Sequence, residues 1–187
     1  MKIAVPREIK RHEYRVAMTP SCARTYVDHG HAVTLESGAG EGAGYSDTDY
    51  REAGAVISKD VRKLFAGADM IVKVKEPLPA EYALFREGQI LYTYLHLAAN
   101  ARLTNELLRR KVIGIAYETI QLPDGSLPCL RPMSEIAGRQ AVQEAAKYLE
   151  KSSRGRGILL GGVPGVQKGK VTILGGGIVG MNAAKIA

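Results

Sequence analysis

Short apolar runs alternate with segments of helical period along much of this chain. Each run is five residues long and rich in Val, Ile and Leu, which is typical of strands buried in a parallel sheet. Strands that alternate with helices predict a doubly wound α/β domain of Rossmann-like form, with helices on both faces of one parallel sheet. The predicted strands cover residues 2–6, 32–36, 70–74, 90–94 and 112–116.

The segments between these runs carry helix start and stop signals. Thr19 followed by Pro20 is typical of an N-cap and a first helical residue, and Gly30 ends that helix. Ser46 caps the next helix, and Ser58 or Asp60 caps the one after it. Predicted helices therefore cover residues 20–29, 47–54, 60–67, 101–110 and 134–151. Ligands of such a fold bind at the carboxyl ends of the strands.

A glycine turn near residue 180 predicts a second domain that binds a dinucleotide. Residues 171–174 are apolar and run into Gly175-Gly-Gly177-Ile-Val-Gly180, which has the G-x-G-x-x-G spacing. Gly175 permits the turn, Gly177 lets the backbone approach a pyrophosphate, and Gly180 allows the helix that begins near Ile178 to pack closely. The alternative is a strand-to-helix turn that binds no ligand. A second glycine-rich segment, 38–44, leads into polar residues and is interpreted as a flexible surface loop.

These elements predict three regions. Residues 1–131 form the first domain, 132–156 form a connecting helix and linker, and 157–187 supply the first strand and helix of the dinucleotide-binding domain. A second strand and an acidic residue that holds the ribose are expected about 20 positions after such a turn. We therefore expect the chain to be part of a longer protein.

Composition and charge limit the classes of partner that this chain can have. The net charge of +7 comes from basic residues spread along the chain. The densest basic cluster, 151–156, has no aromatic residue for base stacking, so we interpret it as a linker and predict no nucleic acid partner.

No apolar stretch approaches the roughly 18 residues that span a bilayer. The start lacks the apolar segment of a signal peptide, so we predict a cytoplasmic protein. Cys22 and Cys129 lack disulfide or zinc spacing, and no metal site is predicted.

Three segments at predicted strand ends or in the adjoining loops carry suitable chemistry for a site. Arg15 offers a planar fork of donors for a carboxylate, although it could be an ordinary surface arginine. Lys73 and Lys75 would share one face of the third predicted strand, and Lys75 could bind an anion or extend into solvent. His96 follows a buried strand, where it could exchange a proton near neutral pH or form a hydrogen bond in the core.

Several segments together resemble the alanine dehydrogenase family. In chain order they are Pro6-Arg-Glu-Ile-Lys, Glu13-Tyr-Arg-Val-Ala, Val72-Lys-Val-Lys-Glu-Pro, Tyr94-Leu-His-Leu-Ala, Pro132-Met-Ser-Glu-Ile-Ala-Gly-Arg and Leu160-Gly-Gly-Val-Pro-Gly-Val. The resemblance implies an NAD-dependent enzyme that reversibly deaminates L-alanine to pyruvate and ammonia. It also implies two domains and a cytoplasmic homohexamer.

The resemblance assigns roles residue by residue. Arg15 and Lys75 correspond to substrate contacts, and His96 to the catalytic acid and base. Met133 and Ser134 correspond to cofactor contacts, as do Gly175, Gly177, Ile178 and Gly180. A second catalytic acid lies further along the family's sequence, so we expect this chain alone to be inactive.

Three alternatives stay open. The NAD-binding subunit of proton-translocating transhydrogenase shares several segments, but Leu95-His96-Leu97 fits the dehydrogenase better. The second alternative is a saccharopine-type dehydrogenase. The third is a protein of a different functional class, one that binds a partner or substrate without catalysis. The residue that discriminates NAD from NADP is not among these 187.

Overall fold

The computed structural model describes residues 1–187 and divides into two compact units, Met1–Thr119 and Ile120–Ala187. The first unit holds one sheet of six parallel strands. Its strands are β1 (Lys2–Val5), β2 (Ala32–Glu36), β3 (Val56–Ser58), β4 (Met70–Val72), β5 (Ile90–Thr93) and β6 (Ile113–Ala116). They lie in the order β3-β2-β1-β4-β5-β6, which confirms the predicted doubly wound α/β fold.

Seven α-helices accompany the strands. The first unit contains α1 (Pro20–Asp28), α2 (Asp47–Glu52), α3 (Val61–Gly67), α4 (Pro79–Tyr82) and α5 (Ala101–Arg109), and the second contains α6 (Arg131–Leu149) and α7 (Ile178–Ile186). Thr19 caps α1 by accepting a hydrogen bond from the Cys22 amide, as its sequence predicts. Of the two predicted caps for α3, Asp60 is the correct one. None of the seven helices combines the length and apolarity that crossing a membrane would require.

The structure differs from the sequence predictions in a few elements. The short β3 and α4 were not predicted, and α6 begins at Arg131 rather than near Ser134. β6 was expected to be buried, but it is an edge strand whose Ile113 is 52% exposed. Its apolar composition resembles that of the central strands, so composition alone does not distinguish the two positions.

Two apolar clusters cover the two faces of the sheet. Ala4 belongs to one cluster, whereas its neighbours Ile3 and Val5 belong to the other, as expected from the alternation of side chains along a strand. The cluster around Ala4 packs against α3, α4 and α5, and the opposite cluster packs against α1 and α2. The helices therefore change face between β1 and β4, which opens a crevice at the carboxyl ends of those two strands.

The second unit is built on the contact between α6 and α7. A Cβ atom added at Gly138 would overlap the carbonyl oxygen of Val179, so glycine is needed for the helices to approach this closely. The predicted strand at 171–174 forms no ladder, because no other segment of this unit pairs beside it. Leu174 is consequently 94% exposed.

Candidate functional site

The loops after β1, β4 and β5 meet at the crevice between β1 and β4. Each loop carries one of the predicted site residues, respectively Arg15, Lys75 and His96. These strands are neighbours in the sheet, so the three loops leave the same edge side by side. Loops that are far apart in the sequence are thus neighbours at the edge where ligands of this fold bind.

Glu8 ties the loop after β1 to the end of β4. Its Oε1 accepts the backbone N–H of Val74 at 2.6 Å and that of Lys75 at 3.4 Å. Lys73 Nζ lies 3.4 Å from Glu8 Oε2 and 2.8 Å from Glu81 Oε1, and all three side chains are almost completely buried. Burial raises the pKa of Glu8, and the opposing effects of the Lys73 charge and the two amides do not cancel it. A buried cation and two carboxylates therefore support the segment that carries Lys75.

Lys73 and Lys75 do not share a strand face, contrary to prediction. β4 ends at Val72, because Glu8 takes the amides of Val74 and Lys75 and the chain bends there. Lys73 is fully buried, whereas Lys75 is half-buried. The two lysines thus have separate environments, with Lys75 close enough to Glu13 for its charge to lower the pKa of that carboxyl.

Glu13 holds the guanidinium of Arg15 by two hydrogen bonds. Arg15 donates from Nε to Glu13 Oε1 at 2.8 Å and from Nη2 to Oε2 at 2.6 Å, which is a bidentate pair. The hydrogen bond from Arg15 is the main cause that holds the pKa of Glu13 below its usual value, and the same bond raises the pKa of Arg15. Arg15 is therefore charged and oriented.

The glycine-rich segment 38–44 supports this arginine. At the start of this segment Gly40 is buried, and the Asp47 carboxylate accepts hydrogen bonds from Ser37 and Gly38. A Cβ at Gly42 would lie 2.7 Å from the carbonyl oxygen of Tyr14, next to Arg15. Residues 41–44 lie at the surface, as predicted, and the glycines allow two backbones to approach closely.

His96 occupies a left-handed turn that a carboxylate holds in place. Its φ is 49°, a conformation that costs a non-glycine residue about 1–2 kcal/mol. Glu118 accepts the backbone N–H of His96 at 2.8 Å and that of Leu95 at 3.0 Å. Hydrogen bonds to a charged group contribute about 1.5–3 kcal/mol each, so this pair is sufficient to stabilise the turn.

Glu76 meets the His96 ring from the neighbouring loop. Its Oε2 lies 3.2 Å from His96 Nδ1, and its Oε1 pairs with Lys10 Nζ. Burial would raise the pKa of Glu76, but hydrogen bonds from Lys10, from its own backbone and from His96 together bring it below its usual value. The carboxylate therefore links the loops after β1, β4 and β5.

The glycine turn of the second unit leads from an open backbone into the start of a helix. Gly175 has a φ of 102°, and a Cβ at Gly180 would overlap the Gly175 carbonyl oxygen, whereas Gly176 and Gly177 face open space. α7 begins after Gly177, and no side chain caps its first amides. The turn thus fits a pyrophosphate by its open backbone and helix N-terminus.

The predicted cofactor residues of α6 lie in the same unit. Ser134 lines an apolar groove together with Gly175, Gly177, Ile178 and Gly180, whereas Met133 precedes Ser134 in α6 and does not line that groove. The structure therefore brings five of these six predicted residues together.

Sequence reasoning missed the acidic residues of the site. These are Glu8, Glu13, Glu76 and Glu118, each of which binds a backbone amide or a basic side chain of another site residue. Glu8, Glu13 and Glu76 lie within the segments that carry the family resemblance, next to the basic residues that drew attention. A search for carboxylates beside each basic candidate would have found Glu13, two positions from Arg15, and Glu76, next to Lys75, but not Glu118.

The fold and site define a class of α/β protein in which a doubly wound domain with a candidate site at its switch point is followed in sequence by a glycine turn. The family model of the alanine dehydrogenase/PNT N-terminal domain matches residues 4–137, and the model of the C-terminal domain matches residues 141–187. The chain belongs to the alanine dehydrogenase/PNT family.

Individual relatives give the same family. The chain is 58% identical to alanine dehydrogenase 2 of Staphylococcus aureus strain USA300 and to alanine dehydrogenase of Methanococcus maripaludis, covering 100% of this chain and 50% of each relative. A solved L-alanine dehydrogenase is 55% identical with a TM-score of 0.94, covering 100% of this chain and 51% of that one. The chain thus spans about half the length of these relatives.

A transhydrogenase structure from Sinorhizobium meliloti shares the fold. Its TM-score is 0.82 at 24% identity, over 100% of this chain and 55% of that one. At this identity the match concerns architecture alone.

Proposed function

We propose that this chain forms the substrate domain and the beginning of the NAD-binding domain of an alanine dehydrogenase. That enzyme converts L-alanine and water reversibly to pyruvate and ammonia, with NAD as the hydride acceptor. The relatives named alanine dehydrogenase support the assignment. The observation that carries it is the meeting of the loops of Arg15, Lys75 and His96 through the pairs Lys10–Glu76 and Glu76–His96.

The three basic residues divide the work of binding and proton transfer. Arg15, oriented by Glu13, binds the substrate carboxylate through its planar fork. Lys75 supplies a second positive charge at the end of β4, where it contacts the substrate. His96 takes a proton from the water that attacks the imine carbon and returns it to the nitrogen that leaves. Holding the reacting groups together supplies the orientation that lowers the barrier.

The cofactor side of the proposal concerns the second unit. Bound NAD supplies the acceptor for the hydride of the α-carbon. Gly175, Gly177, Ile178 and Gly180 would hold its pyrophosphate, while Met133 and Ser134 would contact it from α6. The open turn and the uncapped start of α7 support this part of the proposal.

The remaining parts of the proposal follow from the family resemblance. We assign residues 1–131 to the substrate domain, 132–156 to the connection and 157–187 to the start of the NAD-binding domain. The complete enzyme would be a cytoplasmic homohexamer.

The test uses a polypeptide of the relatives' full length that carries this chain. The wild-type protein should reduce NAD with L-alanine, and His96→Ala should lower kcat by about 10²–10⁴-fold, the usual contribution of a general acid or base. Arg15→Ala should mainly raise the KM for pyruvate, by about 10–100-fold, because a hydrogen-bonded charge pair is lost. A His96→Ala enzyme with the wild-type kcat would contradict the role given to the histidine.

The transhydrogenase alternative is examined in the same preparation. Hydride exchange between NADH and an NADP analogue, without alanine-dependent reduction of NAD, would overturn the proposal. NAD reduction that requires both L-alanine and an intact His96 would support it.

A further inference from the structure

The His96 ring faces a carboxylate on one side only. Glu76 Oε2 lies 3.2 Å from His96 Nδ1, and the Glu76 side chain is 12% exposed compared with 48% for His96. The Lys10 ammonium pairs with the other carboxylate oxygen. Glu76 is therefore a partly buried, ionised acceptor whose geometry is fixed from both ends.

This arrangement determines which nitrogen of the ring carries the proton. An ionised carboxylate offers only lone pairs, so the nitrogen that faces it must donate. Neutral imidazole has one N–H, and placing that proton on Nδ1 leaves the lone pair on Nε2. The ring can then accept a substrate proton only at Nε2.

We propose that Glu76 is a positioning residue that holds His96 in the Nδ1–H tautomer, with Lys10 as the counter-charge that keeps the carboxylate in place. The role of this tautomer rests on the proposed function, in which His96 takes the proton of the attacking water. With Nδ1 already protonated, the ring takes that proton at Nε2. When Nε2 is protonated, the ring becomes a cation with its Nδ1–H still on Glu76, and the carboxylate stabilises that cation. The same proton is returned when ammonia leaves.

Other groups near His96 act differently. Glu118 binds the backbone N–H of His96 and supports the left-handed turn, but it does not bind a ring nitrogen. The Tyr94 ring stacks on the imidazole with its centroid 6.3 Å away. Glu76 is therefore the charged side chain that determines the tautomer of His96.

The direct test reads the tautomer by long-range ¹H–¹⁵N NMR of the 187-residue chain with labelled histidine, at a pH where the ring is neutral. The wild-type spectrum should show His96 protonated at Nδ1. Glu76→Met removes the acceptor at similar side-chain length, so the Nε2–H tautomer should replace it. Glu76→Gln retains an amide oxygen as acceptor, so the Nδ1–H form should remain dominant.

The matched control is Glu87→Met. Glu87 forms an exposed pair with Lys111 at 2.9 Å in the same unit, so this variant makes the same chemical change away from His96 and should leave the tautomer unchanged. An Nε2–H tautomer in the wild-type chain would overturn the proposal, even if Glu76→Met failed to fold. An Nδ1–H tautomer that persists in folded Glu76→Met would overturn it as well.

A kinetic measurement on the full-length protein connects the tautomer with turnover. Glu76→Met should lower kcat by about 10–100-fold, as expected for a residue that orients a reactive group, while the KM for L-alanine changes less than about threefold. Glu76→Gln should recover part of the loss. A wild-type kcat in Glu76→Met would overturn the proposal. Absence of alanine oxidation in the wild-type protein would overturn the proposed function but leave the tautomer result in place.

Discussion

Glu13 and Arg15 form a bidentate pair in which Nε lies 2.8 Å from Oε1 and Nη2 lies 2.6 Å from Oε2. The acid and the base are two positions apart in the chain, with Tyr14 between them, and the pair fixes the plane of the guanidinium. It uses two of the five N–H donors of arginine. An oriented fork binds a carboxylate at lower entropic cost than a mobile one.

Glu13→Gln should therefore weaken substrate binding in the full-length protein. We expect the KM for pyruvate to rise about tenfold, equivalent to roughly 1.4 kcal/mol, with kcat changed less than threefold. The measurement is steady-state kinetics, with Glu87→Gln as a control that alters an exposed ion pair. An unchanged KM would show that Arg15 does not need its partner.

The same pair predicts a pH dependence of stability. The pKa of Glu13 is below its usual value because Arg15 binds the ionised form, so its contribution is complete above the ordinary value of 4.5 and disappears as pH falls through the lowered pKa. Urea unfolding of wild type and Glu13→Gln should consequently differ at pH 7, and the difference should shrink as the pH falls below 4.5. A difference that grows on acidification would contradict this sign.

Gly42→Ala should displace the segment that carries Arg15. The new Cβ would lie 2.7 Å from the Tyr14 carbonyl oxygen, which is closer than real Cβ contacts, so one backbone must move. We expect a higher KM for pyruvate with little change of kcat. Gly67→Ala is the control. Gly67 is the last residue of α3, and a Cβ there meets nothing within 4 Å. Equal kinetics in both variants would refute the support given by Gly42.

Lys73→Met should destabilise the first unit strongly. It leaves the buried carboxylates of Glu8 and Glu81 without their cation, and breaking a buried pair costs about 3–5 kcal/mol. The unfolding free energy from urea titration measures this loss. Adding Glu81→Gln should recover part of it, because one unpaired carboxylate is removed, and a double variant no more stable than Lys73→Met would argue against the ion triad.

Gly180→Ala should loosen the turn before α7, because its Cβ would overlap the Gly175 carbonyl oxygen. Hydrogen exchange of the α7 amides should become at least tenfold faster, corresponding to about 1.4 kcal/mol of local stability. Gly176→Ala is the matched control, since a Cβ there meets nothing within 4 Å and should leave exchange unchanged. Similar protection in both variants would remove the packing role given to Gly180.

The sequence predicted the sheet and most helices because local signals and tertiary packing agree in them. Thr19, Ser46 and Asp60 cap helices by their own side chains, so their positions need no distant partner. The end of β4 was predicted two residues too late, because Glu8 takes the amides beyond Val72 from a loop about 66 residues away. A long-range competitor of that kind leaves no local pattern.

The candidate site was predicted in part for the same reason. Arg15, Lys75 and His96 are residue types whose chemistry can be recognised one residue at a time, and each lies in the loop after a strand. Glu76 and Glu118 act through neighbours 20 and 22 residues away, so their importance depends on which loops the sheet brings together. The left-handed backbone of His96 was likewise not predictable, because it depends on Glu118.

The link from Lys10 through Glu76 to His96 also ties the site to the register of the sheet. Lys10 and Glu76 are 66 residues apart, and Glu76 and His96 are 20 apart, so the link exists only where β1, β4 and β5 are correctly aligned. A chain with these strands in another register would hold the same charged groups separately in water. The arrangement at His96 thus depends on the native register of the sheet.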